Sequence, residues 1–312
     1  MIIVFGSINM DMMLPVGQFP QPGETVLSPG SETYAGGKGA NQALAAARAG
    51  AKTALVGKVG DDGMGLRILN GLRRDGVMTS GVAVSEEKAT GLAVVITNQE
   101  GENEIIVATG ANGEVSHEQV PDEILTPKNF LLLQMETSPQ ENWAILERAE
   151  KGGTTTMLNL APAITIPQAA LEKLDYLVVN QIEARQIAAK LGIDAEKNME
   201  LIAHALARQG NLTCIVTLGG QGSVAVMPDG NFIRVPALII EEMIDRTGAG
   251  DAYCGTLAGW LHEGKTLGNA MRYASVAGSL ACKARGAQPS YAYTGDIEEY
   301  LVTLGENVMG KI

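Results

Sequence analysis

The alternation of two kinds of segment constrains the fold of this chain more than any other feature. Short runs that are apolar at every position alternate with stretches of helical length over most of the sequence. Strands that are apolar on both faces and separated by helices are typical of a mainly parallel sheet covered by helices on both sides. We therefore predict an α/β protein with strands at 2–6, 53–59, 130–134, 155–160, 176–179, 214–217, 223–227 and 232–235. The predicted helices are 40–49, 65–75, 139–151, 181–191, 196–209, 251–263, 267–284 and 295–304, and a hairpin turn is predicted at 227–231.

Two segments interrupt the alternation. Residues 11–33 contain Pro15, Pro20, Pro22 and Pro29 and have no helical period. Residues 90–107 alternate apolar and polar side chains around 98–101, as a solvated hairpin does. The pattern leaves two interpretations open: these segments are surface loops, or they form a small separate sheet that covers a site as a lid.

Charge and cysteine content exclude several classes of protein. The chain has 23 Lys and Arg against 35 Asp and Glu, a net charge of −12, which disfavours nonspecific nucleic-acid binding and anionic membrane surfaces. The apolar start of the chain indicates a strand rather than a signal peptide, and the sequence has no uncharged apolar stretch of the length that spans a membrane. Cys214, Cys254 and Cys282 lack the spacing of metal ligands, so we expect free thiols in a cytoplasmic protein.

Glycines are concentrated in three segments that each precede or join predicted elements. The first, 35–42, contains Gly36, Gly37 and Gly39 and leads into a helix. It lacks the glycine and Ser/Thr positions of a Walker A loop, and it fits either a simple turn or a backbone that a ligand approaches closely. The second, 217–223, joins two strands and fits either a turn or a bend along a nucleotide.

The third glycine segment, 245–251, has the residues that phosphoryl transfer needs. Gly248, Ala249 and Gly250 can point consecutive amides at one anion at the start of a helix. Asp251 is either a helix-capping carboxylate or a general base beside that anion hole. The glycine segments contain only Lys38 and Arg246 as cations, so amide dipoles and metal ions would have to stabilise much of the charge of ATP.

The ordered set of motifs resembles the ribokinase-like (PfkB) carbohydrate kinases over essentially the whole chain. Each motif is moderately specific, whereas the ordered set is highly specific. A departure is Arg246, where the family usually has threonine; we expect it to point to solvent, with contact to the ATP phosphates as the alternative. The motifs are 6–11, 36–42, 134–136, 159–163, 180–183, 217–219, 248–251 and 286–290.

The resemblance implies ATP-dependent phosphorylation of the primary hydroxyl of a sugar, with D-ribose converted to D-ribose 5-phosphate as the expected reaction. It implies that Asp251 is the base and that Gly248, Ala249 and Gly250 form the anion hole. The implied sugar-binding residues are Asn9, Asp11, Gly37, Lys38, Asn41, Glu136 and Asp251. Alternatives are a kinase of deoxyribose, another sugar or a nucleoside, and a non-catalytic sugar-binding regulator.

The resemblance also implies ligand sets for ATP, Mg²⁺ and K⁺. The implied nucleotide-binding residues are Asn180, Thr217, Gly219, Gly222, Gly250 and Ser275. Glu183 would hold Mg²⁺ through water. The implied potassium-site residues are Asp245, Thr247, Ala281, Ala284, Gly286 and Ser290.

The fold that the resemblance implies is a three-layer α/β sandwich with a mainly parallel central sheet and a small β-sheet lid. It predicts one kinase domain over residues 1–312, with the lid formed by insertions at about 11–34 and 90–108. Pairing of two lids would make a homodimer. The expected partners are a small sugar and ATP, with no nucleic acid and no membrane.

Overall fold

Strands and helices alternate along most of the chain in the computed structural model, which describes residues 1–100 and 102–312. The strands are β1 (Ile2–Phe5), β2 (Asn9–Pro15), β3 (Glu32–Gly36), β4 (Thr53–Gly60), β5 (Met78–Ser85), β6 (Gly91–Thr97), β7 (Asn103–Ala108), β8 (Phe130–Leu133), β9 (Thr155–Asn159), β10 (Tyr176–Asn180), β11 (Thr213–Thr217), β12 (Ser223–Val226), β13 (Asn231–Val235) and β14 (Val308–Lys311). The helices are α1 (Lys38–Arg48), α2 (Gly63–Arg74), α3 (Pro139–Gly152), α4 (Gln168–Leu171), α5 (Gln181–Lys190), α6 (Met199–Gly210), α7 (Ala249–His262), α8 (Leu267–Ala281) and α9 (Thr294–Leu301).

The large sheet has ten strands in the order β14-β13-β12-β11-β10-β9-β8-β1-β4-β5. Pairing is parallel from β11 to β5 and antiparallel from β11 to β14. Successive side chains of a strand point to opposite faces, and β1 shows the result: Ile2 and Val4 lie in one core cluster, Ile3 and Phe5 in the other. Helices α1, α7 and α8 cover the first face and α3, α5 and α6 the second, which confirms the predicted α/β architecture.

The two interrupting segments form a second sheet of four strands, in the order β3-β2-β6-β7. Strands β2 and β6 are parallel, and each has an antiparallel outer neighbour, β3 and β7 respectively. This arrangement confirms the small separate sheet and excludes the interpretation as surface loops. The turn predicted at 98–101 connects β6 to β7, and its Gly101 lies outside the described residues.

The sequence prediction missed the two edge strands of the large sheet. Every residue of β14 is exposed, and most positions of β5 are exposed or half-buried, so neither has the apolar run that identified the central strands. Helix α6 begins at Met199 rather than at 196 because the side chain of Asn198 caps it, accepting from the Leu201 amide at 2.9 Å. Of the described helices, none is both long enough and apolar enough to span a membrane.

Helices α1 and α7 pack closely because a glycine faces the contact. A Cβ atom built on Gly255 of α7 would lie 2.3 Å from the carbonyl oxygen of Gln42 and 2.7 Å from Cβ of Ala45. Such distances are below any normal van der Waals separation, so only glycine fits without a shift of one helix. The close approach brings the first turn of α1 beside the first turn of α7.

We expect Gly255→Ala to lower the free energy of unfolding by about 1–3 kcal/mol, because the added methyl group overpacks the contact between the helices. Gly71→Ala in α2 is the matched control, since nothing lies within 4 Å of its built Cβ. That substitution should raise the free energy of unfolding by up to about 1 kcal/mol through helix propensity alone. Urea unfolding followed by circular dichroism measures both, and equal effects of the two substitutions would contradict the close-packing argument.

Candidate active site

The candidate site lies where the carboxyl ends of the parallel strands meet the first turns of α1 and α7. Glu136 follows β8, Asn159 ends β9, Asn180 ends β10 and Thr217 ends β11. In open α/β sheets this edge is where ligands bind, because loops and helix N-termini converge there. The sequence places polar residues at the ends of strands that are otherwise apolar.

Asp251 lies in the first turn of α7 and is 7 % exposed. Its Oδ2 accepts from Nδ2 of Asn41 at 3.0 Å, and its Oδ1 accepts from Nε2 of Gln42 at 2.9 Å. Both donors are neutral amides from the first turns of α1, so they orient the carboxylate and leave its negative charge in place. The start of α7 has no side-chain cap and the Asp251 carboxylate bonds to α1, so helix capping, the alternative that the sequence left open, does not account for this residue.

Further amides hold the two donors in place. Gln42 accepts at Oε1 from Nε2 of Gln134 at 2.7 Å and also donates Nε2 to Oδ1 of Asn159 at 3.0 Å. Asn41 accepts from Nε2 of Gln288 at 3.1 Å. Sequence reasoning quoted these glutamines and Asn159 inside motifs but assigned them no role. Their signal is a buried polar residue in each motif, since such a residue needs hydrogen-bond partners.

Gly248 gives α7 a start that exposes main-chain amides. Its φ of 78° is in the left-handed region, and a built Cβ would lie 2.5 Å from Cβ of Ala287. Nothing lies within 4 Å of the built Cβ of Gly250, which faces open space. The Ala249 amide donates to the Arg246 carbonyl at 3.3 Å. The first-turn amides thus lie at the positive end of α7, beside Asp251.

Carboxylates and one lysine line the side of the site nearest the small sheet. Oε2 of Glu136 accepts from Oγ of Ser7 at 2.6 Å and from the Lys38 amide at 3.1 Å. Burial, together with repulsion from Glu136 and Asp251, raises the pKa of Asp11 to about 7 against an opposing effect of Lys38. Burial works to lower the pKa of Lys38, but attraction to Asp251 and Glu136 outweighs it, so that pKa is raised.

Two glycines close this side of the site by bringing backbones together. Gly37 has a φ of 86°, and its built Cβ would lie 2.6 Å from the Asn9 amide nitrogen. The built Cβ of Gly36 would lie 2.1 Å from Oδ2 of Asp11. The glycine segment before α1 therefore lets the end of β3 lie very close to β2 beside the site. A simple turn would not need this close contact.

Two cavities share Thr217 and Gly250 in their linings, and Asp251 lines the smaller of them. The larger, of about 380 Å³, lies between the second glycine segment and helices α7 and α8. Its lining includes Thr217, Gly219, Gly222, Arg246, Gly250 and Ser275. The smaller, of about 130 Å³, is lined by residues that include Lys38, Asn180, Glu183, Gly248 and Asp251. The structure thus brings the nucleotide residues named from the sequence to the walls of these two adjoining cavities, with Asp251 in the wall of the smaller.

Arg246 and Ser275 both line the larger cavity and make contacts there that the sequence did not predict. Arg246 is exposed, as predicted, yet it also lines the larger cavity, where its Nε donates to Sδ of Met243 at 2.9 Å. Ser275 donates its hydroxyl to the Pro236 carbonyl at 2.6 Å. That bond leaves the Ser275 oxygen as an acceptor at the cavity wall.

Asn180 and Glu183 form a reciprocal cap at the start of α5. The Asn180 side chain accepts from the Glu183 amide at 2.9 Å, and Glu183 accepts from the Asn180 amide at 2.8 Å. Burial raises the pKa of Glu183 in spite of that amide bond. Glu183 lines the smaller cavity, where a nearby cation would stabilise its ionised form against that burial.

Asp245 organises the loop before α7 and the loop after α8. It accepts from the Thr247 amide at 2.9 Å and from the Gly286 amide at 2.9 Å. The carbonyl of Cys282 accepts from the Ile244 amide at 2.9 Å, so residues 281–286 run beside Asp245. Ser290 donates its hydroxyl to the Ala287 carbonyl at 2.7 Å. The predicted potassium-site residues therefore lie on the loop before α7 and on the segment from the end of α8 to Ser290, and Asp245 joins these two parts of the chain.

No group of three or more His, Cys, Asp or Glu within residues 1–100 and 102–312 could hold a metal ion by side chains alone. Main-chain carbonyls with one carboxylate are suitable for a monovalent ion. A single carboxylate beside bound phosphates is suitable for Mg²⁺, which keeps several waters. Both implied ions fit the residues present.

Comparison with known proteins agrees with this geometry. The profile of the pfkB family carbohydrate kinases matches residues 1–292. A ribokinase of Schizosaccharomyces pombe is 33 % identical over 93 % of this chain and 94 % of its own length. A deoxyribokinase of Salmonella typhi is 30 % identical over 96 % of this chain and 98 % of its own length. The structure of Arabidopsis thaliana ribokinase with ribose and ATP superposes with a TM-score of 0.87 at 30 % identity, covering 96 % of this chain and 98 % of that chain. This chain belongs to the pfkB family of carbohydrate kinases.

Proposed function

We propose that this protein is a ribokinase, which transfers the γ-phosphoryl group of ATP to the primary hydroxyl of D-ribose and releases D-ribose 5-phosphate and ADP. The observation that carries the proposal is the position of Asp251. Asp251 lines the smaller cavity, and its carboxylate is held by amides of Asn41 and Gln42, in a chain similar to ribokinases over nearly its whole length.

In the proposed reaction, Asp251 accepts the proton of the primary hydroxyl as the hydroxyl oxygen attacks the γ-phosphorus. The bond from that phosphorus to the bridging oxygen of ADP breaks, and ADP leaves with the electron pair. Amides of Gly248, Ala249 and Gly250 stabilise the equatorial phosphoryl oxygens at the positive end of α7, and the Ala249 amide exchanges its 3.3 Å bond to the Arg246 carbonyl for one to the phosphoryl group. The Lys38 ammonium, which lines the smaller cavity, adds a positive charge. Such catalysis consists of positioning and charge stabilisation.

The proposed sugar site uses groups that pair with hydroxyls. Carboxylates accept hydrogen bonds from hydroxyls, and side-chain amides can donate hydrogen bonds to hydroxyl oxygens. A site of this kind discriminates against sugars that lack the matching hydroxyls. The residues are those named from the sequence, Asn9, Asp11, Gly37, Lys38, Asn41 and Glu136.

The proposed nucleotide site is the larger cavity. Gly219 and Gly220 face open space, so a flat base can lie against their backbone. We assign ATP to Asn180, Thr217, Gly219, Gly222, Gly250 and Ser275. Glu183 would hold Mg²⁺ through water, and when bound, the ion neutralises phosphate charge. The proposed potassium site consists of Asp245, Thr247, Ala281, Ala284, Gly286 and Ser290, where the ion would fix the loops that flank the start of α7.

The small sheet is proposed to be the lid of a single kinase domain over residues 1–312, with insertions at about 11–34 and 90–108. Its outer strand β7 exposes Ile105, Ile106 and Val107 by 50 % or more each. An exposed apolar edge strand favours pairing with a second copy, which supports the proposed homodimer. The free, buried cysteines support the proposed cytoplasmic location.

Deoxyribose is the second candidate substrate, because a deoxyribokinase is 30 % identical to this chain over 303 residues. A coupled ADP-release assay with ribose, 2-deoxyribose, hexoses and nucleosides decides between the substrates. A higher kcat/KM for D-ribose than for every other sugar supports the proposal, whereas no turnover of D-ribose would reject it.

We expect Asp251→Asn to lower kcat by about 10²–10⁴-fold, because the amide cannot accept the hydroxyl proton. Ribose affinity, measured by calorimetry, should change little, since the asparagine keeps the size of the side chain. Asp296→Asn, at the start of α9, is a control that should keep full activity. Wild-type turnover in the Asp251 variant would show that another group is the base.

We expect kcat/KM for ribose to fall as the pH drops below about 7. The pKa of Asp11 is raised to about 7. The carboxylate that accepts hydrogen bonds from sugar hydroxyls is therefore ionised above that pH and protonated below it. A pH profile of kcat/KM reports ionisations of the free enzyme. In Asp11→Asn the decline near pH 7 should disappear while overall kcat/KM is lower; an unchanged profile would assign the ionisation to another group.

We expect turnover to rise when K⁺ replaces a bulky cation such as tetramethylammonium. Asp245→Ala removes the carboxylate that joins the two loops and should abolish this activation, leaving the slow rate seen without K⁺. Asp229→Ala, in the turn between β12 and β13, is the control and should retain activation. Equal activation of the Asp245 variant and the wild type would place the ion elsewhere.

A further inference from the structure

A buried pair of asparagines joins the small sheet to the sugar side of the site. Asn9 begins β2 and is 3 % exposed, and Asn112, in the 3₁₀ turn Gly110–Glu114 after β7, is 1 % exposed. Nδ2 of Asn112 donates to Oδ1 of Asn9 at 2.7 Å. The family resemblance implied Asn9 as a sugar-binding residue, whereas no motif pointed to Asn112, which lies 103 residues away in sequence.

The main chain of Ile8 fixes which way the Asn112 amide points. Oδ1 of Asn112 accepts from the Ile8 amide at 2.8 Å, and Nδ2 of Asn112 donates to the Ile8 carbonyl at 3.1 Å. A backbone amide can only donate and a carbonyl can only accept, so the reversed amide would break both bonds. The Nδ2 group of Asn112 must therefore face Asn9.

This orientation decides what Asn9 presents to a ligand. Only an oxygen can accept from Nδ2 of Asn112, so Oδ1 of Asn9 is used inside the protein. The Nδ2 group of Asn9 is therefore not the group that faces Asn112, and it donates to no acceptor within residues 1–100 and 102–312. Asn9 is thus a donor with a fixed direction.

Asp11 supplies the complementary acceptor. Residues two apart on a strand point to the same face, so the side chains of Asn9 and Asp11 leave β2 on one side. A hydroxyl bound between them would accept from Nδ2 of Asn9 and donate its proton to the Asp11 carboxylate. In this arrangement the hydroxyl both accepts a hydrogen bond and donates one. A sugar with a hydrogen atom instead of this hydroxyl would leave Asn9 and Asp11 without these partners.

We propose that Asn112 is a positioning residue that holds Asn9 as a hydrogen-bond donor to one secondary hydroxyl of the sugar, and so sets discrimination against the sugar that lacks this hydroxyl. The inference deepens the proposed function and rests on it, because it takes the ligand of Asn9 to be a sugar.

A glycine keeps the asparagine pair in contact. A Cβ built on Gly91, the first residue of β6, would lie 2.2 Å from Oδ1 of Asn9 and 2.3 Å from Nδ2 of Asn112. A methyl group there would separate the two side chains without changing any polar group. Two substitutions can therefore break the contact independently. One changes the hydrogen-bonding groups of the Asn112 side chain, and the other adds a methyl group at Gly91.

The test measures KM and kcat of wild type, Asn112→Asp and Gly91→Ala with D-ribose and with ribose analogues that each lack one secondary hydroxyl. The new carboxylate of Asn112→Asp has no proton to donate, so the Asn9 amide turns to donate to it and presents oxygen to the sugar. We expect KM for D-ribose to rise by about tenfold, with KM for ATP unchanged. The preference for D-ribose over one analogue should fall by about tenfold, and Gly91→Ala should show the same pattern.

Asn129→Asp is the matched control. Nδ2 of Asn129 also donates to a backbone carbonyl, that of Ile124 at 2.7 Å, but it lies before β8, at the opposite end of that strand from the site. Its sugar preference should equal that of the wild type. Equal losses for every sugar, or an unchanged preference in folded Asn112 and Gly91 variants, would reject the role of Asn112. Absence of wild-type turnover of D-ribose would instead reject the proposed function.

Discussion

The contact between the first turns of α1 and α7 is the constraint on which the rest of the site depends. It delivers two neutral amide donors to the Asp251 carboxylate, which is nearly buried and would otherwise lack partners. A cation in their place would also satisfy the carboxylate, but it would weaken the carboxylate as a proton acceptor. The glycine at 255 is therefore part of the chemistry as well as of the packing, since any side chain there would move Gln42 away from Asp251.

The same preference for neutral groups explains how an acidic protein can bind a polyanionic co-substrate. The net charge is −12, and the cations that line the two cavities are Lys38 and Arg246. Attraction to Asp251 and Glu136 keeps Lys38 charged. In the proposed reaction, the remaining stabilisation would come from amide dipoles at the start of α7 and from cations that arrive with the nucleotide. The acidic groups Glu183 and Asp245 favour such cations by their charge.

The sequence was sufficient to predict the strands that have apolar neighbours on both faces. Central strands such as β1 and β10 are buried on both faces, so an apolar run identifies them, whereas the edge strands β5 and β14 lack this signal. Asp251 and Lys38 could be proposed because chemistry and motif coincide at them. Asn112 and Gln134 could not, because a buried polar residue is recognised by its partners, and those partners are distant in sequence.

Main-chain groups determine which end of each side-chain amide donates, both in the Asn159–Gln42 network and in the Asn112–Asn9 pair. This explains how side-chain amides that could rotate can serve as fixed donors. The Val178 carbonyl can only accept, so Nδ2 of Asn159 faces it and Oδ1 of Asn159 faces Gln42. Nε2 of Gln42 is therefore a donor, and it also reaches Asp251. Ile8 imposes the same logic on Asn112 and Asn9. In each case a backbone group orients the amide of one asparagine, and that asparagine then determines which atom of the next amide it contacts. Val178 acts in this way on Gln42 through Asn159, and Ile8 acts on Asn9 through Asn112. Reversing Asn112 would leave the Ile8 amide without its acceptor, and reversing Asn159 would place its side-chain oxygen against the Val178 carbonyl. A buried polar group left unpaired costs about 1–3 kcal/mol, which is enough to keep the donors oriented before a ligand binds.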